Sequence, residues 1–250
     1  MDHIVLLLFA GFAAGSLNAA AGGGSFVSFP ALIYAGIPSV SANASSTVAL
    51  FPGSMASVWA YKEDIRPFEQ VSMTAMTVLT FLGGGAGALL LLYTPSADFD
   101  ALVPWLLLTG ALAFAFGRQA GDRLRRKFRI GPAFVLCGQF LLGIYGGYFG
   151  GAVGIMMMAV WSIFGLTDIK RMNADRTLLV GVANAIAVVL FIIAGRVAWP
   201  ETIVMLAGTI LGGYWGARLT RRLNPRYLRL GITVFNFLLT GLFFFLKYRA

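Results

Sequence analysis

The chain has 250 residues, 58% of them apolar and only 12% charged, with a mean hydropathy of +0.81. Too few polar side chains remain to cover a water-soluble globule, so a soluble enzyme is excluded and an integral membrane protein is expected. The net charge of +9 does not point to nucleic acid, because the 19 Lys and Arg stand in short clusters between long apolar runs, as cytoplasmic loops do.

The first apolar run, residues 4–36, is longer than the ~20 residues of one helical crossing and is interrupted by Gly22, Gly23 and Gly24. It is not expected to be a signal peptide, because Met1, Asp2 and His3 supply no Lys or Arg and the same glycine pattern returns in mid-chain. Runs of about one helix follow at 42–61, 68–93 and 101–117, and then the basic segment 118–129. The next run, 130–165, is again too long and is broken around Gly146, Gly147, Gly150, Gly151 and Gly154. Runs at 177–194, 202–217 and 228–246 complete the chain.

Charge decides how the two long runs fold. If each crosses once, Arg218, Arg221, Arg222, Arg226 and Arg229 all fall on the outer face. If both fold as hairpins, only Arg196, Lys247 and Arg249 remain outside. The expectation is therefore ten membrane-inserted segments, both termini outside, and residues 62–67, 118–129, 166–176 and 218–229 in the cytoplasm.

The two halves resemble each other. Gly11, Gly15 and Gly22 recur as Gly143, Gly147 and Gly154, and Asn43-Ala-Ser-Ser-Thr47 recurs as Asn173-Ala-Asp-Arg-Thr177. Gly83, Gly84 and Gly87 recur as Gly212, Gly213 and Gly216, and Pro67-Phe-Glu69 echoes Pro200-Glu201. Four matches in one order predict an internal repeat. The fold expected is an all-α polytopic membrane protein of two inverted-topology repeats, each a broken, Gly-rich hairpin pair plus three transmembrane helices. Residues 1–117 form the first repeat, 118–131 a basic cytoplasmic linker and 132–250 the second.

These residues carry a family resemblance. Gly15-Ser-Leu-Asn18-Ala-Ala-Ala-Gly22-Gly-Gly-Ser25, then Pro30, Gly36, Ala42 and Thr47, with Gly143-Ile-Tyr-Gly-Gly147-Tyr-Phe-Gly-Gly151 and Gly165-Leu-Thr-Asp168, resemble the TauE/SafE family of sulfite exporters. The likeness runs through both halves and implies transport of sulfite or another small organosulfur anion. The second half departs from the pattern: Ser25 has no evident counterpart after Gly154, and Arg176 stands where a small or hydroxyl residue is expected.

Read from the residues themselves, the glycine breaks are candidate anion sites. A helix that restarts inside the membrane leaves backbone N–H groups and its positive end pointing into the protein. The breaks supply Gly22, Gly23 and Gly24 in one half and Gly150, Gly151 and Gly154 in the other; the alternative is that these glycines only let helices pack closely. Asn18, Ser25, Ser46 and Thr47 are neutral donors beside the first break, although Asn43 or Ser45 can equally cap the next helix. Asn173, Thr177 and Asn184 are the second-half candidates. Arg176 either holds an oxyanion through its fork of donors or serves as a cytoplasmic anchor with Lys170 and Arg171.

Other chemistry is poorly supplied. The single cysteine, Cys137, lies in an apolar run and the single histidine, His3, at the end of the chain, so no metal site and no cofactor is expected. Every Asp and Glu stands at the end of a run, which leaves no intramembrane carboxylate relay in view. The function expected is a non-enzymatic, multi-pass transporter of the cell inner membrane. It would export a small sulfur-containing anion by alternating access to a midplane site, with uptake of a sulfonate or other small organic anion, or a non-transporting membrane scaffold, as the alternatives. Its partners are the substrate and the lipid bilayer, with a homodimer expected from small-residue faces.

Overall fold

In the computed structural model, residues 2–21, 23–65, 71–127, 131–166, 168–220 and 225–248 are described. They form ten α-helices and one 3-10 turn, with no strand among them. The helices are α1 (Asp2–Ala21), α2 (Ser25–Tyr34), α3 (Ser39–Tyr61), α4 (Met73–Tyr93), α5 (Ser96–Arg125), α6 (Pro132–Tyr148), α7 (Val153–Phe164), α8 (Ile169–Ile193), α9 (Trp199–Thr220) and α10 (Pro225–Tyr248). The all-α membrane fold is thus as the composition requires. Met73–Tyr93, Ser96–Gly117 and Arg171–Ile193 are each long and apolar enough to cross a bilayer unaided. The basic segment 118–131 begins inside α5, which runs on to Arg125.

Local chemistry explains the boundaries. Ser72 caps α4 by accepting from the Ala75 N–H at 3.4 Å, and Pro132 occupies the first turn of α6, where a missing N–H costs nothing. After α2, α7 and α8 the chain turns through Gly36, Gly165 and Gly195, all at positive φ. In each case the next residue's N–H bonds five residues back: Ile37 to Leu32 O, Leu166 to Trp161 O and Arg196 to Phe191 O.

Each long apolar run folds back on itself. The ring of His3 at the start of α1 lies tilted beside that of Tyr34 at the end of α2, with centroids 6.4 Å apart. Gly138 near the start of α6 lies beside Val160 near the end of α7. These are the hairpins that the charge pattern demands.

Most helix pairings survive exchange of the first five helices with the last five, with α5 on α7 and α3 on α5 as exceptions, since α10 makes no contact of matching extent with α2 or α8 among the described residues. α1 packs on α9 as α4 packs on α6; α4 touches α8 as α3 touches α9; α3 and α8 touch each other. Glycines make the two largest contacts possible. A Cβ on Gly11 or Gly15 would run into the carbonyls of Met205 or Thr209, and one on Gly208 or Gly212 into those of Leu8 or Phe12. Gly143 and Gly147 meet Thr80 and Gly84 in the same way, as Gly83 and Gly87 meet Phe140 and Ile144.

This interlock corrects the register read from sequence. Gly83 and Gly87 play the parts of Gly208 and Gly212, one helical turn earlier than the match with Gly212 and Gly216, while a Cβ on Gly213 would meet nothing within 4 Å. The Pro67-Phe-Glu69 echo and Gly22 lie outside the described residues. The small-residue faces on which a homodimer was expected are largely used within the chain.

Candidate functional site

The first glycine break is a close crossing rather than an open cradle. A Cβ on Gly24 would come within 2.6 Å of Ala14 O and 2.9 Å of Asn18 Cβ, so the glycine lets the returning arm lie on α1. Gly23 is roomier, with only the Phe26 ring at 3.6 Å. The second break spans Phe149 to Ala152. Gly150 and Ala152 both take left-handed backbone there, and the N–H groups of Phe149 and Gly150 both turn back to Tyr145 O. Gly151 leaves space for the Phe149 ring, which a Cβ would approach to 2.7 Å. Gly146 and Gly147 belong to α6 itself.

The two restarting helices, α2 and α7, point their first turns into one cavity of about 120 Å³, room for several waters or a small ion. Ser25 lines it from α2, and Gly150, Val153 and Gly154 line it from the second break and the start of α7. The N–H groups of Phe26 and Val27 already bond the carbonyls of Gly23 and Gly24, and those of Ile155 and Met156 bond Ala152 O, so what the two ends offer an anion is mainly the positive end of each helix dipole.

One face of α3 and one face of α8 form the walls. Thr47, Leu50, Ser54 and Ser57 follow the three- and four-residue spacing of a single helical face, as do Asn173, Arg176, Thr177, Val180 and Asn184 on α8. Asn18 closes the cavity from α1 and donates to Ser54 Oγ at 3.4 Å. Thr47, Ser54, Ser57 and Thr177 donate to the carbonyl four residues back, at 2.7 to 3.2 Å, so in this state they present lone pairs to the cavity. The side chains of Ser25, Asn173 and Asn184 have no protein hydrogen-bond partner among the described residues, and all three line the cavity.

Arg176 is the one charged side chain of the lining among the described residues. Its stem lies over the start of α7: a Cβ on Gly154 would come 2.7 Å from both Cγ and Cδ of Arg176. The turns that end α2 and α7 set the two helices in register and align Ser25 with Gly154. Ser46 is the first-half position that corresponds to Arg176, but it meets Ser28 rather than Ser25, whereas Arg176 lies against Gly154. A large side chain on one helix is matched by none on the other.

Of the residues singled out by sequence, Asn18, Ser25, Thr47, Gly150, Gly154, Arg176, Thr177 and Asn184 come together here. Ser46 faces the other way, its Oγ 2.6 Å from that of buried Ser28, and Gly23, Gly24 and Gly151 do not line the cavity. Ser45 does act as a cap, but for a distant helix: it accepts from the Ala198 N–H at 2.9 Å, just before α9. Ser54, Ser57 and Phe149 are among the lining residues that motif reading misses, with apolar Leu50, Val153 and Val180. Continuing the helical face from Thr47 would have reached both serines. One acidic residue also departs from expectation: Asp175, placed at a run end by sequence, is fully buried in α8 with Arg171 Nε 3.9 Å from its carboxylate.

Compared with known proteins, residues 7–243 match the family described as Sulfite exporter TauE/SafE. The chain is similar to a probable membrane transporter protein of Haemophilus influenzae, 28% identical over 96% of this chain and 94% of that one. It is also similar to the probable membrane transporter protein YfcA of Escherichia coli K12, 28% identical over 90% and 83% of the two chains. The probable membrane transporter protein ORF9 of a Sinorhizobium species is 31% identical over 86% of this chain and 83% of its own. No solved structure matches the chain.

Proposed function

The chain belongs to the sulfite exporter TauE/SafE family of membrane transporters, and we propose that it moves sulfite or a short organosulfonate across the cell membrane through the cavity between α2 and α7. It is a transporter rather than an enzyme, lies in lipid and acts on a small-molecule substrate. One observation carries the anion assignment: Arg176, two helix starts and the unpartnered side chains of Ser25, Asn173 and Asn184 meet in a single small cavity. Such a set replaces the hydration of one or two negative charges without a metal. Neutral donors around a single arginine also hold the ion loosely enough for release.

In this reading residues 1–117 and 132–250 are inverted repeats joined by the basic segment 118–131, and the cavity opens to each side in turn. The contacts that survive exchange of the two halves, α1 on α9 with α4 on α6 and α4 on α8 with α3 on α9, support that arrangement. Export is the favoured direction. A monoanion leaving a cell that is negative inside gains about 2.3 kcal/mol per 100 mV and needs no coupling ion. Uptake is the second reading, which Asp175 favours, since a carboxylate buried near the cytoplasmic end of α8, with Arg171 Nε 3.9 Å away, can carry a coupled proton.

Proteoliposomes loaded with sulfite, sulfoacetate, taurine, sulfate or lactate under an imposed potential test the proposal. Faster efflux of sulfite or sulfoacetate than of lactate, accelerated by a negative interior, is expected. Equal lactate flux removes the sulfur assignment, and preferred transport of zwitterionic taurine removes the anion. An Asp175→Asn variant that stops proton-driven uptake while leaving exchange intact establishes the second reading.

A further inference from the structure

We infer that this structure is the cytoplasm-facing state of the carrier and that Asn43 is the latch holding its outer side shut. The inference rests on the alternating-access reading above and adds which side is open and what closes the other.

It starts from a mismatch between equivalent positions. α3 and α8 are counterparts, and Thr47 with Thr177, Leu50 with Val180 and Ser54 with Asn184 all line the cavity as matched pairs. Beyond these the matching fails in one direction only. Ser57 lines the cavity, but its counterpart Ala187 is 1% exposed in the core; Asn173 lines it, but its counterpart Asn43 is 2% exposed. The cavity is therefore displaced toward the C-terminal end of α3 and the N-terminal end of α8. Those ends adjoin Lys62 and Arg171, in the Lys- and Arg-rich segments that the positive-inside rule puts in the cytoplasm.

The opposite end is sealed. Asn43 Nδ2 donates to Tyr148 O at 3.0 Å, satisfying the carbonyl of the last residue of α6, for which the helix supplies no donor. Around that bond, Phe29 packs against Phe99, Phe149 and Phe243, with centroids 5.9 to 6.2 Å apart, and Phe99 packs against Tyr148 at 5.6 Å. Phe149 also lines the cavity, so the ring cluster is its ceiling. At the cytoplasmic end the equivalent positions hold Leu17 and Met158 in place of Phe149 and Phe29, and no ring cluster can form from them. When the carrier turns over, Asn43 leaves Tyr148 and joins the cavity wall, and Asn173 withdraws from it.

Single cysteines in a Cys137→Ser background, labelled in oriented vesicles with a membrane-impermeant maleimide, test this without any substrate. Ser57→Cys is expected to react from the cytoplasmic side and Ala187→Cys from neither. Adding Asn43→Ala should raise outside labelling of Ala187→Cys at least tenfold and lower cytoplasmic labelling of Ser57→Cys. Phe149→Leu, which thins the ceiling without touching the latch, should shift both rates the same way and serves if Asn43→Ala does not fold. Labelling of Ser57→Cys from outside, or an Ala187→Cys rate that neither variant changes, overturns the inference. Because labelling requires no transported ion, failure of the sulfur-anion assay alone leaves it standing.

Discussion

The side chain of Arg176 lies on the backbone of Gly154, so close that a single methyl group on the glycine would come 2.7 Å from two carbons of the arginine. The sequence reading treats Gly154 as a donor of backbone N–H groups; the structure adds that it is the seat of the cavity's one charge. Gly154→Ala is expected to insert and fold but to displace the guanidinium. Overpacking of about 1–3 kcal/mol at this contact should weaken anion affinity, at roughly tenfold per 1.4 kcal/mol. Binding measured by isothermal calorimetry in detergent checks this. Unchanged affinity would mean that Arg176 does not meet the anion.

Substitutions of Arg176 separate charge from shape. Arg176→Lys keeps the cation but loses the planar fork, and Arg176→Gln loses both. A hydrogen bond to a charged group contributes about 1.5–3 kcal/mol, so Arg176→Gln should weaken half-saturation of flux by roughly ten- to a hundredfold, with Arg176→Lys in between. If Arg176→Gln transports like the parent, the residue is a cytoplasmic anchor.

The glycine interlock predicts a contrast in stability. Gly87→Ala and Gly212→Ala each place a methyl against a backbone carbonyl, of Ile144 and of Phe12, which cannot swing aside. Each should lower stability by about 1–3 kcal/mol, seen as a lower melting temperature by fluorescence-detected size exclusion. Gly213→Ala, with nothing within 4 Å, should melt with the parent.

A second stability test concerns buried Gln139, which donates to Thr80 Oγ1 at 2.8 Å and accepts from Trp161 Nε1 at 3.2 Å. Gln139→Leu leaves the indole N–H in an apolar surround and should cost about 1–3 kcal/mol. Adding Trp161→Phe removes the orphan donor, so the double variant should be less destabilised than the two single effects added together. Simple additivity in that cycle would show that the bond contributes nothing.

Topology is checked from exposed positions at both ends of the bundle. In the Cys137→Ser background, Ser96→Cys and Arg196→Cys should label from outside intact cells, and Arg126→Cys and Asp168→Cys only after permeabilisation. Outside labelling of Arg126→Cys would undo the hairpin arrangement.

Much of this fold is legible in the sequence because membranes constrain it so tightly. Apolar runs too long for one crossing, with arginines that otherwise fall on the wrong face, leave little besides two hairpins. Which glycine meets which is another matter. Gly208, Gly212 and Gly216 are spaced by single turns, so a register shifted by four residues looks equally good until the carbonyl of Phe12 is seen against Gly212. The same limit applies to Asn43 to Thr47 and to Asn173 to Thr177. Neighbours on a helix point about 100° apart, and no motif says that Thr47 faces the cavity while Ser46 turns to Ser28, or that Arg176 faces it while Asp175 is buried. The match of Gly154 to Arg176 was out of reach for another reason: it joins two helices whose contact depends on the whole bundle.

The pairing of α1 with α9 also bears on how the chain is made. At about 5–20 residues per second, the glycine face of α1 waits roughly ten to forty seconds in the membrane before the helix that covers it has been synthesised. During that interval α4 and α6 can already lock together, so the middle of the protein assembles before its beginning. A chain stopped short of Trp199 keeps Gly11 and Gly15 bare, an open invitation to the quality-control proteases that survey the bilayer for unfinished helices.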